Sequence, residues 1–242
     1  MRRWSDVADR VAATTRTSEK TAILADYLRS LDDADLPVAC TFFTGRPFPE
    51  NDPRSAGLGW ASAAAAVTDL AGAPPEAFGA AYDRWSDIGR AIEDLLDAAG
   101  HRPDPAVSPS LREVEDAFAA IEAASGPAAK GAIFRALLAR CDPATARHVV
   151  KVLSGELRIG LREGLLEAAI ATAFERPLAD VKRATQLTGE VGLTATLART
   201  DRLADATLTI FRALKPMLAS PAEDAAEIVA RLGPVVWVED KY

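Results

Sequence analysis

The sequence predicts an all-α chain made of two related helical halves, with the first strand of something different at its C-terminal end. Three observations carry this reading. Hydrophobic residues make up 49% of the 242 residues while aromatics supply only 6%, and alanine recurs throughout; alanine loses no side-chain entropy on entering a helix. Long β-branched runs of the kind a sheet uses are missing until Val235-Val236-Trp237-Val238. Apolar residues recur at helical spacing between recognisable start and stop signals.

In chain order, helical periodicity runs through 5–31, 60–72, 75–99, 109–124, 128–141, 143–153, 162–174 and 178–198. Pro74-Pro75 opens the third run, Gly100 closes it, and 101–109 is a proline-rich connector. Ser108 and Ser125 are candidate N-caps, because a hydroxyl can accept an orphan N–H of the first turn. Cys141-Asp142-Pro143 reads as a helix end, a cap and a proline at the first turn. Residues 201–221 read as a linker and a turn, 222–232 as a short helix, and Gly233-Pro234 leads into a strand over 235–242. The expected division is a helical domain over 1–200, a linker over 201–221 and the start of a second domain over 222–242.

The two cysteines, Cys40 and Cys141, form no CxxC pair, which excludes a disulfide framework and a structural zinc site. No apolar signal core occupies residues 1–20 and no apolar run has membrane-spanning length. The expectation is a soluble protein of the cytoplasm with no membrane partner and no bound metal.

A net charge of −7 argues at first against a nucleic-acid partner, but the charge is unevenly spread. Glu76 to Glu122 holds eleven acidic residues against four basic ones, whereas Gly126 to Thr200 holds eleven basic against seven acidic. Local charge decides phosphate binding, so a net-acidic chain can still present a basic face.

The halves are visible as a repeat. With Lys20 placed on Lys130 and no gaps, Ala22 meets Ala132, Ile23 meets Ile133, Leu28 meets Leu138, Asp32 meets Asp142 and Gly45 meets Gly155. Beyond each of these glycines comes a second small cluster and an alanine-rich helix: Gly57-Leu58-Gly59-Trp60 in the first half, Arg158-Ile159-Gly160-Leu161 in the second. Chance matching in an alanine-rich chain is the alternative; duplication predicts two helix–glycine loop–helix units.

The sharpest segment is Leu153-Ser154-Gly155-Glu156-Leu157-Arg158-Ile159-Gly160-Leu161-Arg162-Glu163-Gly164. Glycines let backbone approach a bulky partner closely, the following helix N-terminus suits a phosphate, and Arg158 adds a planar donor fork. From the residues alone the same pattern also fits an ordinary inter-helix turn.

This segment resembles the signature of the DNA-binding domain of ATP-dependent DNA ligases, and further segments agree in order. Val181-Lys182-Arg183-Ala184 to Leu187-Thr188-Gly189-Glu190-Val191-Gly192 is similar to the family's next helix pair. Leu214-Lys215-Pro216-Met217-Leu218-Ala219 resembles the linker into the catalytic core, and Glu239-Asp240-Lys241-Tyr242 the start of the nucleotidyltransferase motif, whose full form is Lys-x-Asp-Gly. Gly57-Leu58-Gly59-Trp60-Ala61 fits the first half of the family's helical domain. The resemblance covers essentially the whole chain and is closest to the bacterial three-domain type. It departs at Glu156, where a second basic residue is common, and the Asp-Gly and later motifs do not follow Tyr242.

The resemblance implies an enzyme that seals nicks in repair, replication or recombination, in the bacterial cytosol, through a lysyl–AMP formed from ATP with Mg2+. It gives Lys241 the nucleophile's place and Glu239 the adenine-reading place, and makes the strand at 235–242 the first of a nucleotidyltransferase domain. With one residue after Lys241 no pocket encloses that lysine, so this chain alone is expected to be inactive, with neither cofactor bound. Its expected partners are nicked double-stranded DNA and its own nucleotidyltransferase and oligonucleotide-binding domains, and it is expected to be a monomer. Ligation must ignore sequence, so backbone and minor-groove contacts are what the task requires. The candidate contacts are Gly155, Arg158, Gly160 and Arg162 in one loop and Gly57 and Gly59 in the other, with Lys151, Lys182 and Arg183 adding charge.

Other residues read as structural. His101 is expected to be solvated, His148 lacks partners at metal-ligand spacing, Asp87, Glu93, Asp94 and Asp97 suit a solvated helix face, and Trp60 and Trp85 suit the core. The rival function is an α-helical repeat scaffold that binds protein.

Overall fold

A computed structural model describes residues 1–210 and 221–237. Among these residues every regular element is helical. The first half holds α1 (Arg2–Ala12), α2 (Thr17–Arg29), α3 (Asp35–Phe43), α4 (Trp60–Ala71), α5 (Ala77–Trp85) and α6 (Ile88–Ala98). The second holds α7 (Leu111–Ala123), α8 (Pro127–Leu138), α9 (Pro143–Leu153), α10 (Glu163–Phe174), α11 (Leu178–Thr188) and α12 (Val191–Arg199). A short α13 (Ala225–Leu232) follows, with no buried residue.

Three of the long predicted runs divide. The run 5–31 breaks at 13–16, where the Thr14 hydroxyl accepts from the Arg16 N–H and donates to Glu19. The run 75–99 breaks at Ser86, which is left-handed (φ +48°), and Asp87, whose carboxylate accepts from the Arg90 N–H at 3.0 Å and caps α6. The run 178–198 breaks at Gly189 (φ +64°). α3 has no periodic apolar run of its own, because Pro37 interrupts the pattern, and only the repeat predicts a helix before Gly45; proline is tolerated there since a first-turn N–H needs no helical partner. Two expected caps move by a residue or two. Ser110, not Ser108, caps α7 in a capping box with Glu113, and Gly126, not Ser125, precedes α8. Asp142 caps α9 as expected, accepting from the Thr145 N–H at 2.8 Å. Of the strand expected over 235–242, only 235–237 are described, and they are irregular.

Packing follows the repeat, and each half is completed by the other. α2 lies on α10 and its counterpart α8 on α4; α3 lies on α12 and its counterpart α9 on α6. The same pairing joins α3 to α7 and α9 to α1. Two counterpart glycines allow the closest of these approaches. A Cβ on Gly192 of α12 would stand 2.7 Å from the Pro37 carbonyl oxygen of α3, and one on Gly89 of α6 would stand 3.0 Å from the Arg147 carbonyl oxygen of α9. In the register that places Lys20 on Lys130, Pro37 falls on Arg147.

The core runs through the junction of the halves. Trp4 stacks on Phe43 (4.6 Å between ring centres) and meets Phe42 edge-on, and Phe42 reaches Phe118 of α7. Cys40 and Cys141 are buried free thiols, each pushed up to about 12 by burial. No helix among the described residues is long and apolar enough to cross a membrane.

Candidate nucleic-acid interface

The repeat brings its two glycine loops together. Gly45 follows the end of α3 and Gly155 the end of α9, and both glycines take the same left-handed conformation, φ +76°. A Cβ on Gly155 would stand 3.9 Å from the Gly45 carbonyl oxygen, and one on Gly45 would stand 3.9 Å from the Gly155 carbonyl oxygen and 3.2 Å from Leu157 Cβ. The loops therefore sit back to back, and Arg46, Phe48 and Arg54 of the first share a surface cavity with Leu153, Ser154 and Gly155 of the second.

Each chain then turns again before the next helix. Gly57 (φ +58°) precedes α4 and Gly160 (φ +63°) precedes α10. Arg158 is left-handed too (φ +46°), an uncommon state for a residue with a Cβ. Its side chain is exposed and its guanidinium meets Glu156 at 2.9 Å. Gly59 is the N-cap of α4 with open space where a Cβ would be, and Arg162, exposed, is the N-cap of α10. Both helices thus present their N-termini, with their partial positive charge, beside these loops.

Two lysines support the turns from beneath. Lys20 of α2, in the first half, donates to the Ile159 and Gly160 carbonyls of the second half at 3.0 and 2.8 Å. Lys130 of α8, in the second half, donates to the Ala56 carbonyl of the first half at 2.9 Å. The repeat register pairs these two lysines, and that correspondence is their only signal in the sequence.

Not every residue expected at the interface stands in it. Lys151 is buried in α9, and its ammonium meets the Asp87 carboxylate at 2.7 Å. Burial pushes the Asp87 carboxyl up, but Lys151 and the Arg90 and Gly89 N–H groups outweigh that and hold it below the usual range. The Lys151 charge is neutralised within the α6–α9 contact rather than offered at the surface. Lys182 and Arg183 are exposed on α11, whose end meets the first loop, where the Thr188 carbonyl accepts from Asn51 at 3.3 Å. Glu239 and Lys241 lie outside the described residues.

The model of the family described as DNA ligase N terminus matches residues 1–171, which include both loops. The chain belongs to the DNA ligase N-terminal family. Its curated relatives agree. A probable DNA ligase of Opitutus terrae is 39% identical, covering 95% of this chain and 26% of the relative. A probable DNA ligase of Koribacter versatilis is 39% identical over all of this chain and 41% of its own length. DNA ligase 1 of Korarchaeum cryptofilum is 30% identical over 96% of this chain and 42% of its own. The chain thus spans well under half the length of these ligases.

Several residues of this ligase-family chain do other work than their sequence suggested. His101 is half-buried, with Nε2 3.1 Å from the Cys141 carbonyl oxygen, so it ties the proline-rich connector to the end of α8. His148 is buried against Trp4, with Nε2 2.8 Å from the Asp9 carboxylate. Of the four carboxylates expected on a solvated face, Asp87 and Glu93 instead bind α9, Glu93 through Arg147 at 2.9 Å. Trp60 and Trp85 are 48% and 40% exposed rather than in the core; Trp60 rests edge-on against Phe78 and Tyr82, and the Trp85 indole donates to Asp94.

Proposed function

We propose that this chain is the DNA-binding domain of an ATP-dependent DNA ligase and grips nicked duplex DNA through sugars and phosphates along the minor groove. The observation that carries the reading is the back-to-back pair of left-handed glycine loops, each leading to a helix N-terminus, with Arg158 exposed on one of them. Such loops offer backbone N–H groups and a guanidinium to phosphates without reading bases, which suits an enzyme that must act at any sequence. Gly57, Gly59, Gly155, Gly160 and Arg162 complete the proposed contact surface, and Lys182 and Arg183 add positive charge beside it. The proposed division keeps the helical domain at 1–200, the linker at 201–221 and the start of the nucleotidyltransferase domain at 222–242.

In the full-length, cytoplasmic enzyme the resemblance assigns Lys241 as the nucleophile toward ATP and Glu239 as the adenine-reading residue, with Mg2+ supporting phosphate chemistry. Nick sealing in repair, replication or recombination is the corresponding role, with the nucleotidyltransferase and oligonucleotide-binding domains as partners within one monomer. Fluorescence anisotropy with nicked, intact and single-stranded DNA at several salt concentrations tests the binding claim. Duplex affinity that falls steeply with salt supports it. Absence of DNA binding together with salt-insensitive binding to a protein returns the lead to the scaffold reading, which the acidic stretch from Glu76 to Glu122 favours.

A further inference from the structure

We infer that Lys20 and Lys130 are positioning residues of the DNA interface, each presetting the glycine loop of the opposite half so that its N–H groups are left for phosphates. The inference rests on the reading of these loops as DNA contacts. It adds residues that touch no DNA themselves and a link between the two loops.

The geometry sorts the polarity of each loop. Lys20 is buried, and its ammonium donates to the Ile159 and Gly160 carbonyls. Lys130 does the same for the Ala56 carbonyl. Among the described residues, the backbone N–H groups of Leu157 through Leu161 and of Ser55 through Leu58 donate to no carbonyl or side chain. Carbonyls held by a cation on one side and unclaimed N–H groups in a left-handed turn are the makings of an anion-binding concavity. The ammoniums also sit hard against the glycines that make the turns. A Cβ would stand 2.8 Å from Lys20 Nζ at Gly160 and 3.2 Å from Lys130 Nζ at Gly57, so an added side chain would push each ammonium off the carbonyl it holds, while the positive φ is what calls for glycine.

The arrangement is reciprocal. Lys20 rides on α2, which packs on α10 beyond the loop it holds, and Lys130 rides on α8, which packs on α4 beyond its own. Neither loop can be set without a helix of the other half. A duplex that engages one loop therefore meets the second already placed, and the ordering cost is met in folding rather than in binding.

The test uses the whole chain with Lys20→Met and Lys130→Met, which keep length and remove the donor. Affinity for nicked duplex and its salt slope are measured by anisotropy, and folding by circular dichroism and thermal melting. The expected result is a folded variant with about tenfold weaker duplex binding, the loss typical of a charged hydrogen bond, and an unchanged salt slope, since no phosphate contact is removed. Arg158→Ala, by contrast, lowers the slope. Lys20→Met made on the Arg158→Ala background is expected to lose less than on the wild type, because the loop it releases no longer carries that arginine.

Wild-type affinity in folded Lys20→Met and Lys130→Met overturns the inference. A salt slope reduced by about one overturns it too, by making the lysine a direct phosphate ligand. Where a methionine variant fails to fold, Lys20→Gln or Lys130→Gln keeps one donor; an intermediate loss of affinity is then expected, and wild-type affinity is the contrary result. If the unmutated chain binds no duplex, the DNA reading itself fails and the inference with it, an outcome visible before any variant is made.

Discussion

Gly45 and Gly155, which occupy the same position in the two halves of the repeat, touch in space with the same backbone conformation, φ +76°. Their contact fixes the distance between the two loops that precede α4 and α10. Alanine at Gly45 is expected to destabilise the chain by about 1–2 kcal/mol, from left-handed strain and from crowding of Leu157. Alanine at Gly155 meets only the strain and is expected to lose less. Urea unfolding of the two variants checks the order; a Gly45→Ala variant as stable as wild type removes this contact from the account.

Gly192→Ala offers a test in which two effects have opposite signs. Helix propensity alone predicts a gain of about 1 kcal/mol. The Pro37 carbonyl oxygen, 2.7 Å from the new Cβ, predicts instead a loss of about 2 kcal/mol as α12 is pushed off α3. A lower thermal midpoint supports the close approach, and a higher one contradicts it.

Arg158→Ala is expected to weaken duplex binding for every sequence tried and to lower the salt slope by about one. Glu156 competes for the same guanidinium, so Glu156→Gln is expected to strengthen binding. Equal affinities for wild type and both variants exclude Arg158 as a phosphate contact.

Lys151→Met is expected to act on stability and not on DNA. It leaves Asp87, packed between α6 and α9, without its cation, a loss of about 3 kcal/mol. The salt slope of duplex binding is expected to stay that of the wild type; a lower slope restores Lys151 to the interface.

Glu113 predicts a feature of acid unfolding. The Ser110 backbone N–H, Arg140 and the Ser110 hydroxyl together lower its carboxyl to about 2. A depressed carboxylate stabilises the fold above its unfolded-state value and loses that contribution as pH falls toward 2. Glu113 is exposed, so the contribution is small, below about 1 kcal/mol. Glu113→Gln is expected to flatten the stability–pH curve over that window and leave its slope unchanged near neutrality, which chemical denaturation at stepped pH measures.

Much of this architecture was legible in the sequence because its signals are local. Alanine-rich periodicity marks helices, the cap at Asp142 marks α9, and the match of Gly45 with Gly155 marks the repeat. The breaks at Ser86 and at 13–16 were hidden because apolar spacing continues across them. Pro37 interrupts the apolar spacing of α3, so only the repeat marked that helix. Lys151 looked like a surface charge because its partner Asp87 lies on another helix, and only packing joins them. Lys20 and Lys130 were visible as a matched pair, but a reach from each half into the loop of the other is a tertiary fact that no spacing along the chain encodes.

The central claim is that the two loops grip DNA together. Hydrogen–deuterium exchange of the whole chain, free and with saturating nicked duplex, tests it most directly. The account predicts that amides of 55–59 and 157–162 gain protection together, while the acidic surface of α5 and α6 is unchanged. Protection confined to α5 and α6, or absent from both loops while the chain is bound, contradicts it.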